Sequence, residues 1–507
     1  MIELSPRRYE FDAAFVEGKA QLLWTKIISD LETPVSALLK LGASAPGSFL
    51  LESVEGGDWR GRYSVIGMKP DLIWRVRDGR TEISRGKFSD LAFKPQKLAP
   101  IEGLRRVLAD SAIEIPRELP PMAAGLFGFL GYDMVRYVEK LPNVPKDDLQ
   151  IPEALLVRPS VVAIFDNVAH EITLVTPVRP GREKDSGAAF AAGKARLESA
   201  VKALEKRAPV KTNAAAAEPI DPPQSNTEPD EYRAMVERGK QYARAGDIFQ
   251  VVPSQRFSAP FPHAPFALYR ALRRLNPSPF LFYLNFDDFA IVGSSPEILV
   301  RLRDGLVTVR PIAGTRPRGA TPADDARLEE ELLADPKERA EHLMLLDLGR
   351  NDVGRIAKRG KGGNDPRTAG GVRVTQSFGV ERYSHVMHIV SNVEGALAPE
   401  HDVIDALFAG FPAGTVSGAP KVRAMEIIDE LEKSKRGVYA GGVGYFTGNG
   451  EMDTCIALRT GVIKNGVLYV QAGGGVVLDS DPQLELEETE HKARALFRAA
   501  EEAWRFS

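Results

Sequence analysis

Apolar positions along this chain recur at two periods. Short runs rich in Val, Ile and Phe read as strands, and they are separated by turn residues. In the first 178 residues such runs include 71–76, 161–166 and 171–175, the last two forming a hairpin around Asn167 to His170. In the second half they include 248–253, 280–286, 290–292, 298–302, 441–446, 455–463 and 467–471. Several are joined by short Gly-containing turns, such as Thr447-Gly448-Asn449-Gly450 and Lys464-Asn465-Gly466, which favour hairpins. Helical periodicity predicts helices over 188–204, from Pro229 onward through Tyr232 and Tyr242, and over 323–349, 401–410, 421–433 and 482–505. Strands joined by hairpins pair antiparallel, so the pattern predicts an α+β fold and not a doubly wound one.

Between the two halves, 207–229 carries Pro, a run of four Ala, Asn, Gln and Ser. It reads as a linker or mobile loop between a β-rich region 1–206 and a second domain 230–507. At 507 residues the chain exceeds one ordinary core. Acids and bases are mixed throughout, with a net charge of −3. No basic stripe or block suggests nucleic acid or a membrane surface as partner. The start lacks a signal-like apolar run, and no stretch approaches a spanning helix, so a cytoplasmic protein is expected. The single cysteine, Cys455, excludes an intrachain disulfide, and its neighbours read as strand core. No Walker-type loop and no Gly-x-Gly-x-x-Gly in a strand–helix setting supports a nucleotide.

Two Glu-x-x-Glu pairs carry the sharpest chemical signal. Glu338 and Glu341 follow Asp335-Pro336; Glu485 and Glu488 follow Asp481-Pro482. Asp-Pro starts a helix, and i,i+3 spacing turns both carboxylates of a pair to one side. Two such helices facing each other would form a four-carboxylate cage, chemistry suited to a hard cation, Mg²⁺ above all. Taken singly, each pair also fits a helix start or a solvated charged face. Further candidates are Arg310-Pro311-Ile312-Ala313-Gly314-Thr315-Arg316, whose guanidinium groups suit carboxylates, and the small-residue loop 414–421 before a helix. Three glycines, Gly473, Gly474 and Gly475, after a strand suggest either close approach of a ligand or a β-bulge. His388 sits among apolar residues, so a satisfied core histidine competes with an acid–base role.

Together these motifs, with 341–348, Arg350-Asn351-Asp352, 441–445 and 471–488, resemble the chorismate-utilising enzymes. The likeness covers most of the chain and includes Leu51-Glu52-Ser53 near the start. It implies large antiparallel sheets packed together with helices outside, an N-terminal regulatory part and a C-terminal catalytic part. The implied reaction aminates chorismate at ring carbon 2, expels the 4-hydroxyl and then releases pyruvate to leave anthranilate, a step of tryptophan biosynthesis. The resemblance implies Glu341 and Glu488 as direct Mg²⁺ ligands, supported by Glu338 and Glu485. It implies Glu297 as general acid, and His388 and Thr415 beside the departing enolpyruvyl group. It implies contacts to the substrate from Gly314, Thr315, Tyr439, Arg459, Lys492 and the amides of Gly473 to Gly475.

Two positions discriminate among relatives. Ala313 stands where relatives making aminodeoxychorismate often carry a nucleophilic Lys. Gln250 stands where relatives that add water carry a Lys base, and Gln cannot take a proton. Both favour ammonia as the nucleophile. No glutaminase apparatus is visible, so a separate glutamine amidotransferase subunit is the expected partner in a hetero-oligomer. Feedback by L-tryptophan is expected at Leu51, Glu52 and Ser53, with Pro279, Phe280 and Leu281 as a second wall. The alternatives are an aminodeoxychorismate-forming relative, disfavoured by Ala313, and a non-catalytic tryptophan sensor, disfavoured by the full set of acids.

Overall fold

The computed structural model describes residues 2–52, 61–181, 183, 185–209, 220–360, 370–383 and 386–506. Among them, 21 strands are joined in one hydrogen-bonded network. Every ladder of that network is antiparallel, as the hairpin signals predict.

Two arms leave a central pair, Tyr63–Arg77 and Ala154–Asp166. One arm runs through Phe49–Glu52 to Phe280–Asn285, Phe289–Ser295, Thr460–Lys464, Val467–Gly473 and Ser254–Pro260. The other runs through Gly125–Leu130 to Gly442–Thr447, Met452–Ile456, Ile298–Arg303, Leu306–Val309 and Val386–Ala396. Val386–Ala396 is flanked in turn by Ile312–Pro317 and Val372–Arg382. Each arm therefore crosses from the first half of the sequence into the second by direct strand pairing.

The arms share a core that includes Phe127, Phe129, Phe282, Ile291, Val443 and Val462. Helices cover the outer faces. Pro265–Leu275 and Pro482–Glu502 bury Leu268, Leu272, Leu496 and Ala500 against the first arm, and Ser186–Leu204 buries Leu197 over Glu171–Val178 and Gln21–Ile28, which pair in turn beside the central strand Ala154–Asp166. Pro100–Ser111, Val403–Gly410 and Pro336–Gly354 bury Leu104, Leu407, Leu346 and Val353 against the second. Strands such as Gly125–Leu130, Ala154–Asp166 and Phe289–Ser295 are buried at nearly every residue, so both faces of the sheets are covered, and the helices cover the outer one. Cys455 lies buried in the shared core.

Several element boundaries differ from the sequence expectation. The helix expected over 323–349 is two helices, Pro322–Ala334 and Pro336–Gly354. Pro336 has no N–H for the first helix and disfavours helical backbone at Asp335, so Asp335 ends one helix and caps the next. Its carboxylate accepts from the backbone N–H of Lys337 at 2.9 Å and of Glu338 at 3.3 Å. The strand expected over 455–463 breaks at 457–459, where Arg459 adopts φ +47°. Of 248–253 only Gln250–Val251 is strand, paired with Gly418–Ala419. Within 207–229, Gln224–Ser225 adds a short strand beside Phe257 and Ser258. No helix among the described residues is long and apolar enough to cross a membrane.

Candidate active site

The chain passes between the two arms at two neighbouring points. Phe289–Ser295 belongs to one arm and Ile298–Arg303 to the other, so Pro296 and Glu297 form the first crossover. Met452–Ile456 and Thr460–Lys464 make the second, across 457–459. The crossovers are stitched together: Ile456 N–H donates to the Glu297 carbonyl at 3.0 Å, and Ser294 N–H to the Arg459 carbonyl at 3.2 Å. These backbone bonds set Glu297 and Arg459 on adjoining crossovers between the arms.

Glu297 is 4% exposed. Thr415, on the short helix Gly414–Ser417, donates its hydroxyl to Glu297 Oε1 at 2.9 Å. The backbone N–H of Ile312 also donates to it. Burial dominates these contacts and raises the carboxyl pKa to about 8, so the group is largely protonated near neutral pH.

His388 stands on Val386–Ala396 opposite Thr315, where a bulge leaves Gly314 out of register at φ +75°. That left-handed conformation is one glycine adopts readily. His388 Nδ1 lies 3.0 Å from Thr315 Oγ1 and 3.1 Å from the Gly314 carbonyl oxygen. A carbonyl only accepts, so Nδ1 carries the proton and Nε2 keeps its lone pair. Burial lowers the pKa to about 4, which leaves the ring neutral. Arg459 approaches closely enough to assist this lowering. Its guanidinium has no hydrogen bond or ion pair among the described residues.

The two acidic pairs come toward each other from Pro336–Gly354 and Pro482–Glu502. Burial raises the Glu341 pKa first of all, and the charges of Glu338 and Glu488 raise it further. Burial likewise raises that of Glu485, with Glu488 adding to it. Gln250 Nε2 donates to Glu341 Oε1 at 3.3 Å. Lys337 acts by its charge on Glu341 and Glu485, and two further cations pair with the acids directly. Arg316 lies 3.3 Å from Glu338 and 2.7 Å from Asp335; Lys492 lies 2.6 Å from Glu488 and donates to the Gly473 carbonyl at 2.9 Å. The expected closed cage is not formed: among the described residues no three acidic, histidine or cysteine side chains converge as a finished metal site. The donor set still suits a hard cation. All four acids offer oxygen, and Glu485 Oε2 is buried without a hydrogen-bond partner.

The three glycines line this gap. A Cβ on Gly474 would fall 2.7 Å from Glu485 Oε2, and one on Gly475 would fall 2.4 Å from Gln250 Nε2. One on Gly473 would meet the Pro253 carbonyl at 2.7 Å and the Tyr439 hydroxyl at 2.8 Å. Tyr439 is buried, with the Arg436 guanidinium 5.4 Å from its ring centre.

Motif reading passes over Arg436. It is 2% exposed, pairs with Glu432, and donates to the carbonyls of Val416 at 2.6 Å and Val252 at 2.5 Å. It thereby ties the short helix of Thr415 to the residue that follows the Gln250–Val251 strand. The i,i+4 spacing of Glu432 and Arg436 is the one signal of this pair in the sequence. Asp352 of the Arg-Asn-Asp motif holds Lys421, with both oxygens at 2.9 Å.

The proposed tryptophan segment lies on the first arm. Glu52 pairs in register with Leu281 and accepts from Tyr269 and Arg273. Leu281 and Pro279 are buried, while Leu51 and Phe280 are partly buried against the shared core. Ser53 lies outside the described residues.

Comparison with known proteins gives the class. Residues 51–498 match the family model described as chorismate binding enzyme, and the chain belongs to that family. Within it, the chain is 56% identical to anthranilate synthase component 1 of Cereibacter sphaeroides, over 98% of both chains. It is 50% identical to that of Pseudomonas aeruginosa, over 97% of this chain and 98% of the relative. The crystal structure of anthranilate synthase component I from Streptococcus pneumoniae TIGR4 matches with a TM-score of 0.77 at 36% identity, covering 93% of this chain and 99% of that one. The menaquinone-specific isochorismate synthase of Escherichia coli shares the fold, at a TM-score of 0.67 and 18% identity over 97% of this chain and 100% of that one.

Proposed function

We propose that this chain catalyses the amination and pyruvate elimination that convert chorismate and ammonia to anthranilate, pyruvate and water. The observation that carries the reading is Glu297: a buried carboxyl, hydrogen-bonded by Thr415 and Ile312, that keeps its proton near neutral pH. Hydroxide is a poor leaving group, and a protonated acid beside it lets the 4-hydroxyl leave as water when ammonia bonds to ring carbon 2. Neutral His388, with Nε2 free of the Gly314 contact, is suited to accept a proton as pyruvate departs from the aminated intermediate. Gln250 and Ala313 supply neither a general base for water nor an amine nucleophile, which leaves ammonia as the nucleophile.

Arg459, Tyr439, Lys492 and the amides of Gly473 to Gly475 are the groups suited to the substrate's carboxylates, with Gly314 and Thr315 beside its ring. Glu341 and Glu488 would hold Mg²⁺, with Glu338 and Glu485 in support. Bound there, the ion would supply positive charge opposite the ring carboxylate. The name component 1 borne by the relatives supports a second subunit, which we assign as a glutamine amidotransferase supplying ammonia. L-Tryptophan is assigned as the feedback inhibitor, at Leu51, Glu52, Ser53, Pro279, Phe280 and Leu281.

The deciding assay supplies chorismate, an ammonium salt and Mg²⁺ to the purified chain and follows anthranilate fluorescence. Anthranilate and pyruvate should form in equal amounts. Their absence, or isochorismate or aminodeoxychorismate as the end product, would overturn the reading.

A further inference from the structure

One acidic side chain outside the motifs touches both halves of the proposed chemistry. Glu381 lies on Val372–Arg382, in register with His388 on the neighbouring strand. One of its oxygens holds the Arg310 guanidinium, and the other accepts from the Tyr383 hydroxyl at 2.9 Å. Arg310 is 5% exposed and stands two residues before Ile312, whose N–H bonds Glu297. The Tyr383 ring packs edge-on to His388, with centroids 5.6 Å apart.

We propose that Glu381 is a positioning residue for the reaction, neutralising Arg310 behind Glu297 and bracing Tyr383 against His388, so that one carboxylate sets the electrostatics of both groups. The inference rests on the roles of Glu297 and His388 given above.

Arg310 is a permanent cation near a carboxyl that must stay protonated. A buried cation left unpaired favours the ionised carboxylate and strips the acid of its proton. Arg310 does act on Glu297 in that direction, and burial outweighs it. The other groups bonded to Glu297, the Thr415 hydroxyl and the Ile312 N–H, are neutral. Around His388 the charged groups are Arg459 and Glu381, which act in opposite directions; Tyr383 is the titratable group in ring contact. Pairing Glu381 with Arg310 cancels a field that would otherwise fall on the acid.

The test is a pH profile of kcat with ammonia, with free NH₃ held constant at every pH and chorismate and Mg²⁺ saturating. Wild type should lose activity as pH rises through about 8, where Glu297 loses its proton. Glu381→Gln keeps the side-chain shape and removes the charge, so this alkaline limb should move to lower pH by about one unit. Arg310→Gln should move it to higher pH, and the double variant should return it near the wild-type position. Restoration in the double variant separates charge pairing from a structural role, because two structural lesions do not cancel. An alkaline limb that stays in place in both single variants would overturn the inference while leaving Glu297 as the acid. A wild-type profile without the limb, or one that survives in Glu297→Gln, would overturn the acid assignment and this inference with it. Should Glu381→Gln fail to fold, the limb of Arg310→Gln decides: no upward shift overturns the proposal.

Discussion

At the scale of single residues, the site is governed by burial of groups that ordinarily carry charge. Glu297 has a folded-state pKa of about 8, well above an ordinary carboxyl. A raised pKa means that stability is fully present below the unfolded value and is lost as pH rises through the folded one. Glu297→Gln removes the titration and keeps the shape. The variant should lose ammonia-dependent anthranilate formation, by at least about 100-fold if the general acid contributes as such groups usually do. Its melting temperature should exceed that of wild type near pH 8 and match it near pH 4, where wild-type Glu297 is protonated in both states. Calorimetry across that range checks the sign; equal melting temperatures at pH 8 would refute the buried-acid account. The histidines carry the opposite dependence. Burial lowers His342 and His388 to about 4, so the stability they contribute is lost as pH falls from about 6.5 toward 4. His388→Phe keeps the ring volume without a base. It should accumulate the aminated intermediate without anthranilate, detectable by chromatography of the products; loss of both would assign His388 an earlier role.

At the scale of elements, the two capped helices determine where the four acids stand. Asp335 and Asp481 each accept backbone N–H bonds that start a helix, and each helix then carries its Glu pair within the first two turns. Removing such a cap costs about 1 kcal/mol. Asp335 also holds Arg316, which leans on Glu338, so Asp335→Asn, which keeps capping capacity and loses the charge, isolates the ion pair. Glu341→Gln or Glu488→Gln should leave the circular dichroism spectrum unchanged, weaken Mg²⁺ binding by at least about tenfold in calorimetry, and abolish activity. Turnover that persists with a chelator present would remove the metal from the proposal. How much of these elements could be read from sequence differs by element. Asp-Pro and i,i+3 spacing announced both helices and their acidic faces. The same Asp-Pro should have announced the break at 335–336, but the apolar positions continue through it, and periodicity ran two helices together. The break at 457–459 carries no turn residue: Ala457, Leu458 and Arg459 suit a strand, and a change of sheet decides their backbone.

At the scale of the whole molecule, strand pairing joins the two halves of the sequence through Phe49–Glu52 beside Phe280–Asn285 and Gly125–Leu130 beside Gly442–Thr447. A ligand at the first junction therefore acts on a strand whose neighbour, Phe289–Ser295, leads directly into Glu297. Tryptophan should lower activity, with chorismate opposing it, if it prefers a conformation that binds chorismate poorly. Saturating tryptophan without effect on the chorismate dependence would refute the regulatory assignment alone. The purified chain should use ammonium salts and not glutamine, and adding an amidotransferase subunit should confer glutamine use. Glutamine-dependent activity of the rigorously purified chain would contradict the two-subunit assignment.

The sequence by itself determined the antiparallel α+β class, the helices and their acidic faces, and the family, because hydrophobic period, capping residues and contiguous motifs are local properties. Position in space was decided by the tertiary structure. The neutral state of Glu297 depends on burial at a crossover between sheets, and the tautomer of His388 on a bulge at Gly314 in the neighbouring strand. The pairing of Arg436 with the carbonyls of Val416 and Val252 and of Glu381 with Arg310 joins residues far apart in the chain. A charge reads the same in sequence whether water or protein surrounds it, and only the packed arms determine which of the two it meets.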